Sequence, residues 1–452
     1  MCNIHNLKED ILGKITEPEI TGDWYELKNA TTGYDVQKAL DEYDNVYIPL
    51  LDNPIIVDEP IRMSSNKHLK VHKKQVIMQS RDSYTCLLRN ENLTDGAFSL
   101  PSKENRDKNI SVEGGTWHIK TKCRCYTDKE KTVRGSLGAI IFSGVEQLRF
   151  TDMTIYDSEI CGPAGTDDSS YAIQISNCTN FIVDHIELEG NNRDGVHING
   201  PVEYGHVYHI RGDKMGDDMV ALNAWDWYNS AVSFGPIENL VIEDVVGSGN
   251  ELRLLPGQKL YEGLPPVDCD IRNIVLENLT GLYTVKLYAQ PNIDNAIYGI
   301  NDVSGTVGKI ENILFKNITF KQLSAAGFHG LPVKSAFEVC ADVNNLYFED
   351  ISIGNSVSEC RDLDLRFMNV GPLSAVWKNG SENPDDWGEV FDPDAICTAD
   401  EIYMENVTFA GEKVTDLDIL TREVKMTVNP DYPNTTPKGG TGYGTIKKVY
   451  AK

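Results

Sequence analysis

One short pattern recurs along the second half of the chain, and it leaves few folds open. The segment IENLVIEDVVG, which starts at Ile237, returns as IRNIVLENLTG from Ile271, as IENILFKNITF from Ile310 and as VNNLYFEDISI from Val343. Each copy alternates apolar and polar residues with a period of two, which is typical of a β-strand. Each also carries Asn or Asp where the chain would turn. Weaker copies start at Val145, Thr179 and Asp400.

The repeat predicts the architecture. A short strand with one apolar face cannot bury that face alone, so successive copies must stack on one another. Long helical periodicity is nearly absent after Tyr43. We therefore predict an all-β fold, a right-handed parallel β-helix with unequal loops. The Asn residues at equivalent turn positions are expected to form a ladder of side-chain amides along the axis.

The two ends of the chain differ from the repeats, as the caps of a solenoid do. The amphipathic segment Asp35–Tyr43 is predicted to form a short N-terminal capping helix, followed by first strands at Asn45–Leu50 and Ile55–Val57. We divide one continuous domain into three parts. These are an N-terminal cap with the first coils (1–100), a parallel β-helix that carries the candidate site (101–411) and a C-terminal tail or cap (412–452).

The charge of the chain argues against two classes of partner. The 452 residues include 42 Lys and Arg against 68 Asp and Glu, a net charge of −26. Phosphate binding depends on clustered cations, so neither nucleic acid nor an anionic membrane is an expected partner. The one basic stretch, Lys67–Lys74, is predicted to be an edge strand with solvated lysines. The apolar runs are far shorter than the roughly 20 residues of a membrane span. The oligomeric state stays open.

The amino-terminal residues and the cysteines bear on location. The first residues lack the basic region and apolar core of a secretory signal. Ten cysteines are too sparse for a disulfide scaffold, and Cys86, Cys178 and Cys340 lie in apolar alternations, as free thiols do. We expect a cytoplasmic protein, with secretion after removal of a signal as the alternative.

Three acidic residues stand apart from the repeat. Asp194 lies in NNRDG, and Asp217 and Asp218 lie in GDD, which begins one coil later; 23 residues separate Asp194 from Asp217. Residues one coil apart lie above one another at about 4.8 Å, so the three carboxyl groups should meet on one face. Their repulsion should keep a proton on at least one of them near neutral pH, as acid–base cleavage of a glycosidic bond requires. Solvated turn acids and a calcium site are the alternatives.

On these motifs the chain resembles the polygalacturonases, glycoside hydrolase family 28, over most of its length. Asn192-Arg-Asp194 matches the Asn-x-Asp motif of the family, and Gly216-Asp217-Asp218 matches its Gly-Asp-Asp motif. The resemblance implies that Asp217 is the general acid, that Asp194 and Asp218 share the role of general base, and that Asn192 contacts substrate. It also implies inversion, with the two carboxyl groups roughly 6.5–9.5 Å apart, and no metal or other cofactor.

Two further motifs of the family match in part. Asn250 stands where the family has the His of Gly-His-Gly, and Thr284 replaces the Arg of Arg-Ile-Lys while Lys286 retains its Lys. In the family that Arg and Lys engage the substrate carboxylate. The resemblance therefore implies substrate contacts at Asn250 and Lys286, with Arg253 in the neighbouring coil as a substitute for the missing Arg.

Other residues near the acids are candidate contacts. Trp225 and Trp227 follow the GDD strand, and their faces suit stacking on sugar rings, with plain loop packing as the alternative. His197, His206 and His209 lie between the two acidic motifs, but a shared metal site is not expected because nothing places them on one face.

The predicted function is that of an inverting, exo-acting glycoside hydrolase. Its expected partner is a carbohydrate, a pectin-like or related plant or microbial polysaccharide or oligosaccharide. One alternative is a non-catalytic carbohydrate-binding β-helix, which the altered third and fourth motifs favour. The other is a polysaccharide lyase, which would need a Lys or Arg base and calcium.

Overall fold

A computed structural model of the chain describes most of its residues. The described residues are 4–93, 103–121, 123, 126–128, 131–132, 138–158, 170–190, 193–213, 215–224, 232–257, 268–288, 308–320, 335–353, 366–370, 372–377, 389–414 and 445–452. Among them, no helix is both long and apolar enough to cross a membrane.

The helices are short and lie near the amino terminus, ahead of the long strands. A 3-10 turn at Ile4–Asn6 leads into α1 (Leu7–Leu12), and α2 follows at Gly33–Glu42. Helix α2 starts at a capping box, in which Thr32 and Asp35 each bond to the backbone of the other. It buries Val36 and Leu40, so the predicted capping helix is confirmed with its start two residues earlier.

Most of the described residues lie in strands. The first part of the chain forms β1 (Tyr25–Glu26), β2 (Asn45–Ile48), β3 (Ile55–Val57), β4 (Ile61–Met63), β5 (His68–Gln79), β6 (Leu88–Asn90), β7 (Asp107–Ile119), β8 (Tyr126–Asp128) and β9 (Lys131–Thr132). The middle forms β10 (Gly138–Asp157), β11 (Tyr171–Glu189), β12 (Val196–Asp213), β13 (Val220–Asn223), β14 (Ile237–Leu255) and β15 (Ile271–Tyr288). The last part forms β16 (Ile310–Lys316), β17 (Thr319–Phe320), β18 (Ser335–Cys340), β19 (Val343–Ile353), β20 (Arg366–Val370), β21 (Pro372–Trp377), β22 (Glu389–Ile396), β23 (Thr398–Phe409), β24 (Glu412–Lys413) and β25 (Thr445–Ala451).

The strands form a parallel β-helix, as the repeat predicts. Each long strand pairs in parallel with the strand one coil later, as β10 does with β11, β11 with β12, and β14 with β15. The inward side chains form one continuous apolar core along the axis, in which the rings of Phe337 and Phe348 lie 4.8 Å apart. The last strand, β25, pairs in parallel with β23 and extends the same stack.

The coils turn at residues with left-handed backbone. In β14 these are Asn239 and Asp244, with φ of 57° and 54°. Their side chains bond to the equivalent residues one coil away: Asn273 donates to Asn239 at 3.0 Å, and Asn278 donates to Asp244 at 3.0 Å. The predicted Asn ladder is therefore present, and it explains the choice of residue because Asn and Asp tolerate this conformation better than other side chains.

Asn278→Ala is expected to destabilise the fold by about 1–3 kcal/mol, because Ala keeps the left-handed φ of 57° at a steric cost. The variant also loses the bond to Asp244 and the 2.7 Å bond that Asn278 accepts from Asn317. Asn278→Gly removes both hydrogen bonds without the steric cost, so it should be the milder change. Urea unfolding compares the two. Equal destabilisation by Ala and Gly would show that backbone strain contributes nothing here.

The prediction of an edge strand at Lys67–Lys74 is wrong. The corresponding strand, β5, pairs with β2 on one side and with β7 on the other, so it lies inside the stack. Strand β2 lies beyond it and pairs in turn with β1, which takes the outer position among the described strands. The lysines stay on the outer surface all the same, where Lys70 pairs with Glu113 at 2.5 Å.

Candidate active site

The structure brings the three predicted acids together at one edge of the stack. Asp194 lies just before β12, and Asp217 and Asp218 lie just before β13 in the next coil. Backbone bonds hold the two turns against each other: Gly195 N donates to the Asp218 carbonyl at 2.9 Å. One carboxylate oxygen from each of the three acids lies within 4.8 Å of the others.

A glycine permits this close approach. A Cβ atom on Gly195 would lie 2.7 Å from the Met219 carbonyl oxygen and 2.3 Å from Leu188 Cδ1. Any larger residue would therefore push the Asp194 turn away from the Gly-Asp-Asp turn. The Asp-Gly pair of the sequence reflects this packing requirement as well as turn preference.

The three carboxyl groups differ in their access to solvent. The side chain of Asp217 is 18% exposed, that of Asp194 is 4% exposed, and that of Asp218 is fully buried. Neither oxygen of Asp218 has a hydrogen-bond partner among the described residues. Burial therefore raises the pKa of Asp218 well above its ordinary value of 3.8; Arg253 opposes the rise, while Asp217 and Asp194 add to it. The proton that the three acids are expected to retain therefore lies on Asp218.

The raised pKa of Asp218 makes a prediction about stability. Between the ordinary value of 3.8 and the higher folded value, folded Asp218 binds a proton that the unfolded chain has released, so stability falls as pH rises. Asp218→Asn cannot ionise. Its melting temperature relative to wild type should therefore rise from about pH 4 to about pH 8, as thermal unfolding would measure. A difference between the two proteins that does not change with pH would contradict the assignment.

One arginine, Arg253, places a positive charge among the acids. The guanidinium of Arg253 lies 3.5 Å from Asp217 Oδ1, 3.4 Å from Asp218 Oδ2 and 3.9 Å from Glu251 Oε2. It reaches them from β14, where Arg253 is aligned with Ala221 of β13. A cation at the centre of the acids offsets their repulsion and opposes the binding of a metal ion there, which weakens the calcium alternative.

Lys286 and a glutamate that the sequence analysis missed extend the site by one coil. Lys286 is aligned with Arg253, and its Nζ lies 3.0 Å from Glu251 Oε2. Glu251 is 2% exposed, so it is a fourth acid buried beside the trio. Its position two residues before Arg253 on an alternating strand places it on the same face, and this parity is the signal that would have identified it.

Asn250 lies beneath the Gly-Asp-Asp turn. Its side chain is completely buried, and Nδ2 donates to the carbonyls of Asp217 at 2.9 Å and of Met215 at 3.3 Å. These bonds fix the backbone that carries the acids. In the structure, Asn250 therefore contacts the backbone of the Gly-Asp-Asp turn.

His197 is a further residue of the site. Its Nδ1 lies 2.5 Å from Asp194 Oδ2, its ring stacks on Tyr171 at 3.9 Å, and the side chain is completely buried. Asn199 accepts from Gln174 through Oδ1, so its Nδ2 donates to Nε2 of His197 at 3.1 Å. Nδ1 of His197 therefore carries the proton and donates to Asp194, which fixes that carboxylate in place.

Three of the remaining candidates fall outside the part of the chain that the structure describes, and two of the histidines pair with other acids. Asn192, Trp225 and Trp227 lie outside the described residues. His206 pairs with Glu243 at 2.8 Å and His209 pairs with Asp184 at 3.0 Å, whereas His197 pairs with Asp194. The three histidines thus have different partners, and no shared site forms among them.

The acids lie close enough for their carboxyl groups to share a proton. One oxygen from each of Asp194, Asp217 and Asp218 lies within 4.8 Å of the others, because the direct stacking of adjacent coils sets Asp194 one strand spacing from the Gly-Asp-Asp turn.

Comparisons with known proteins give fold neighbours and no family. No protein-family model matches the sequence. No curated protein matches it either. Among solved structures, an exopolygalacturonase from Thermotoga maritima is 13% identical with a TM-score of 0.48, covering 92% of this chain and 96% of its own. An α-1,3-glucanase catalytic unit from Streptomyces thermodiastaticus is 12% identical with a TM-score of 0.46, covering 97% of this chain and 70% of its own. PfbA, a surface adhesin of Streptococcus pneumoniae, is 12% identical with a TM-score of 0.39, covering 84% of this chain and 87% of its own.

Proposed function

We propose that the protein is a glycoside hydrolase whose reaction centre is the cluster of Asp194, Asp217 and Asp218. The observation that carries the proposal is a partly exposed carboxyl group, Asp217, beside a buried carboxyl group, Asp218, that keeps its proton. Glycosidic bond cleavage needs one carboxyl group as acid and another as base or nucleophile, with environments that separate their protonation states.

The exposure of the three side chains supports one division of roles among them. Asp217 is the most exposed of the three, so it is the group that faces the glycosidic oxygen and protonates it. Asp194, held by His197, is the ionised partner that activates water. Asp218 supplies the shared proton; for it to act as a base, that proton must first pass to Asp217.

We propose a pectin-like or related plant or microbial polysaccharide or oligosaccharide as substrate, cleaved from one end. Arg253 and Lys286, stacked one coil apart beside the acids, would attract a sugar carboxylate to this edge. Inversion is proposed because the two acidic motifs resemble those of the polygalacturonases. Retention is the second candidate because the closest oxygens of the acids lie within 4.8 Å of one another, and retaining pairs, at roughly 5–5.5 Å, sit closer together than inverting pairs.

Two observations favour hydrolysis over the other functions. The described basic groups beside the acids are ion-paired, Lys286 with Glu251 and Arg253 with the aspartates, so neither is placed as the neutral base of a lyase. A buried, unbonded carboxyl group such as Asp218 costs stability, and carbohydrate binding alone gives no reason to keep it.

The experiment is incubation of the protein with pectic and neutral oligosaccharides, with and without a chelator. Hydrolysis should release reducing sugars in both conditions and form no unsaturated product. An unsaturated product that disappears with chelator would indicate a lyase. Binding of an oligosaccharide without any cleavage would indicate a carbohydrate-binding protein.

A further inference from the structure

A second cluster of ligand-bearing side chains lies at a turn that carries none of the candidate active-site residues. Asp184, His185 and His209 each offer one ligand atom, and the three atoms lie within 4.8 Å of one another. Nδ1 of His185 is 2.5 Å, and Nδ1 of His209 is 3.0 Å, from the same oxygen, Oδ1 of Asp184. Two imidazole nitrogens thus converge on one carboxylate oxygen.

The turn ladder sets the two histidines one above the other. The register aligns Asp152, His185, His209, Asp244 and Asn278 in successive coils. All five have left-handed backbone, with φ between 51° and 57°. The backbone therefore fixes the Cα positions of both histidines, and their ring centroids lie 4.2 Å apart. At these two coils the ladder has nitrogen ligands where later coils have Asn.

The surroundings of the cluster suit a bound cation. The Asp184 side chain is 8% exposed, whereas His185 and His209 are 55% and 40% exposed, so the carboxylate forms a floor and the imidazoles open to solvent. The hydroxyl of Tyr208 bonds to Asp184. Oδ2 of Asp244 lies 3.6 Å from Nε2 of His209, the nitrogen that faces away from Asp184. Carboxylates behind a ligating imidazole orient the ring and raise its basicity.

We propose that Asp184, His185 and His209 bind a divalent transition-metal ion of the zinc class, with water completing its coordination. Imidazole nitrogens combined with a carboxylate suit zinc, copper or nickel, whereas calcium and magnesium take oxygen ligands. Zinc ligands at 2.0–2.1 Å in tetrahedral array are roughly 3.3 Å apart, so small side-chain movements adapt the present spacing. Each imidazole would bind through Nδ1 in its neutral form, with its proton on Nε2.

The bound ion would link β11 to β12 across two coils. A ligand that binds only the folded chain stabilises it in proportion to its occupancy, so zinc should raise the melting temperature. The proposal is independent of the glycosidase assignment, because it uses none of the same residues.

The experiment is calorimetric titration of ZnCl₂ into the full chain, free of any affinity tag, together with His185→Asn and His209→Asn. Asn is native at this ladder position in later coils, at Asn278 and Asn317, so both variants should keep the fold. We expect one zinc ion per wild-type chain and an affinity lowered at least about tenfold in each variant. The rise in melting temperature that zinc causes in the wild type should be absent in both variants.

Two control variants locate the ion. His72→Asn removes a histidine of β5, three coils before β11, and should bind zinc as wild type does. Asp217→Asn removes a carboxylate of the other acidic cluster and should also leave zinc binding unchanged. No zinc uptake by the wild type, uptake that both ladder variants retain, or uptake that Asp217→Asn abolishes would each overturn the proposal.

Discussion

Asp217→Asn is expected to lower the turnover number by about 10²- to 10⁴-fold while the chain stays folded, since general acid catalysis contributes on this scale. The side chain of Asp217 is the most exposed of the three acids, at 18%, and lies 3.5 Å from the Arg253 guanidinium. Asn keeps the size of the side chain and removes its ability to give a proton to the leaving oxygen. Initial rates on the best oligosaccharide of the panel measure the effect.

A matched control separates the loss of this acid from the loss of any acid. Asp350→Asn replaces an acid of the turn ladder with the residue that occupies the same position in the neighbouring coils, Asn317 and Asn406. It should leave both turnover and stability close to wild type. If Asp217→Asn retains turnover within a few-fold of wild type, the assignment of the acid is wrong.

Arg253→Met is expected to destabilise the protein by about 3–5 kcal/mol at neutral pH, the cost of leaving buried charges without their partner. Arg253 is 12% exposed and is shared by Asp217, Asp218 and Glu251. Since this cation opposes the rise in the pKa of Asp218, its loss raises that pKa further. The deficit in the free energy of unfolding should therefore be larger above the folded pKa of Asp218 in the wild type and smaller at lower pH, where Asp218 is protonated in both folded proteins.

Arg272→Met is the control for Arg253. Arg272 also contacts three acids, Glu238 at 2.5 Å, Asp270 at 3.0 Å and Asp268, but its side chain is twice as exposed, at 25%. Its loss should cost about 1 kcal/mol or less, as for ion pairs near the surface. Equal losses for the two variants in denaturant unfolding would mean that burial of the cluster adds nothing.

The sequence was sufficient for the fold and for the meeting of the acids. Alternation with period two, repeated with Asn at each turn, is satisfied by stacked parallel strands, and a spacing of one coil then brings Asp194 to the Gly-Asp-Asp turn. The prediction of a shared proton followed from the same spacing. Burial of Asp218 supports it, because neither of its oxygens reaches solvent or a hydrogen-bond partner.

The sequence was insufficient where side-chain direction or neighbouring coils decide the outcome. His197 and Glu251 lie on the outward face by the parity of their strands, but only the assembled stack gives them partners in Asp194 and Lys286. The interior position of Lys67–Lys74 depends on β2 and β1, whose pairing beyond β5 is seen only in the assembled stack. The ladder positions of His185 and His209 are not recognisable from the sequence, because His does not resemble the Asn of the other coils. Only the register of the strands shows that they belong to the ladder.

The most direct test of the reaction centre is proton NMR of the first sugar released from pectic and neutral oligosaccharides by the wild type and by Asp217→Asn. We predict a free sugar from the wild type, in the inverted configuration, and none from the variant on the same timescale. First release in the retained configuration would favour the second candidate. No released sugar from any substrate, or equal release by both proteins, would contradict the assignment of Asp194, Asp217 and Asp218 as the centre of glycosidic hydrolysis.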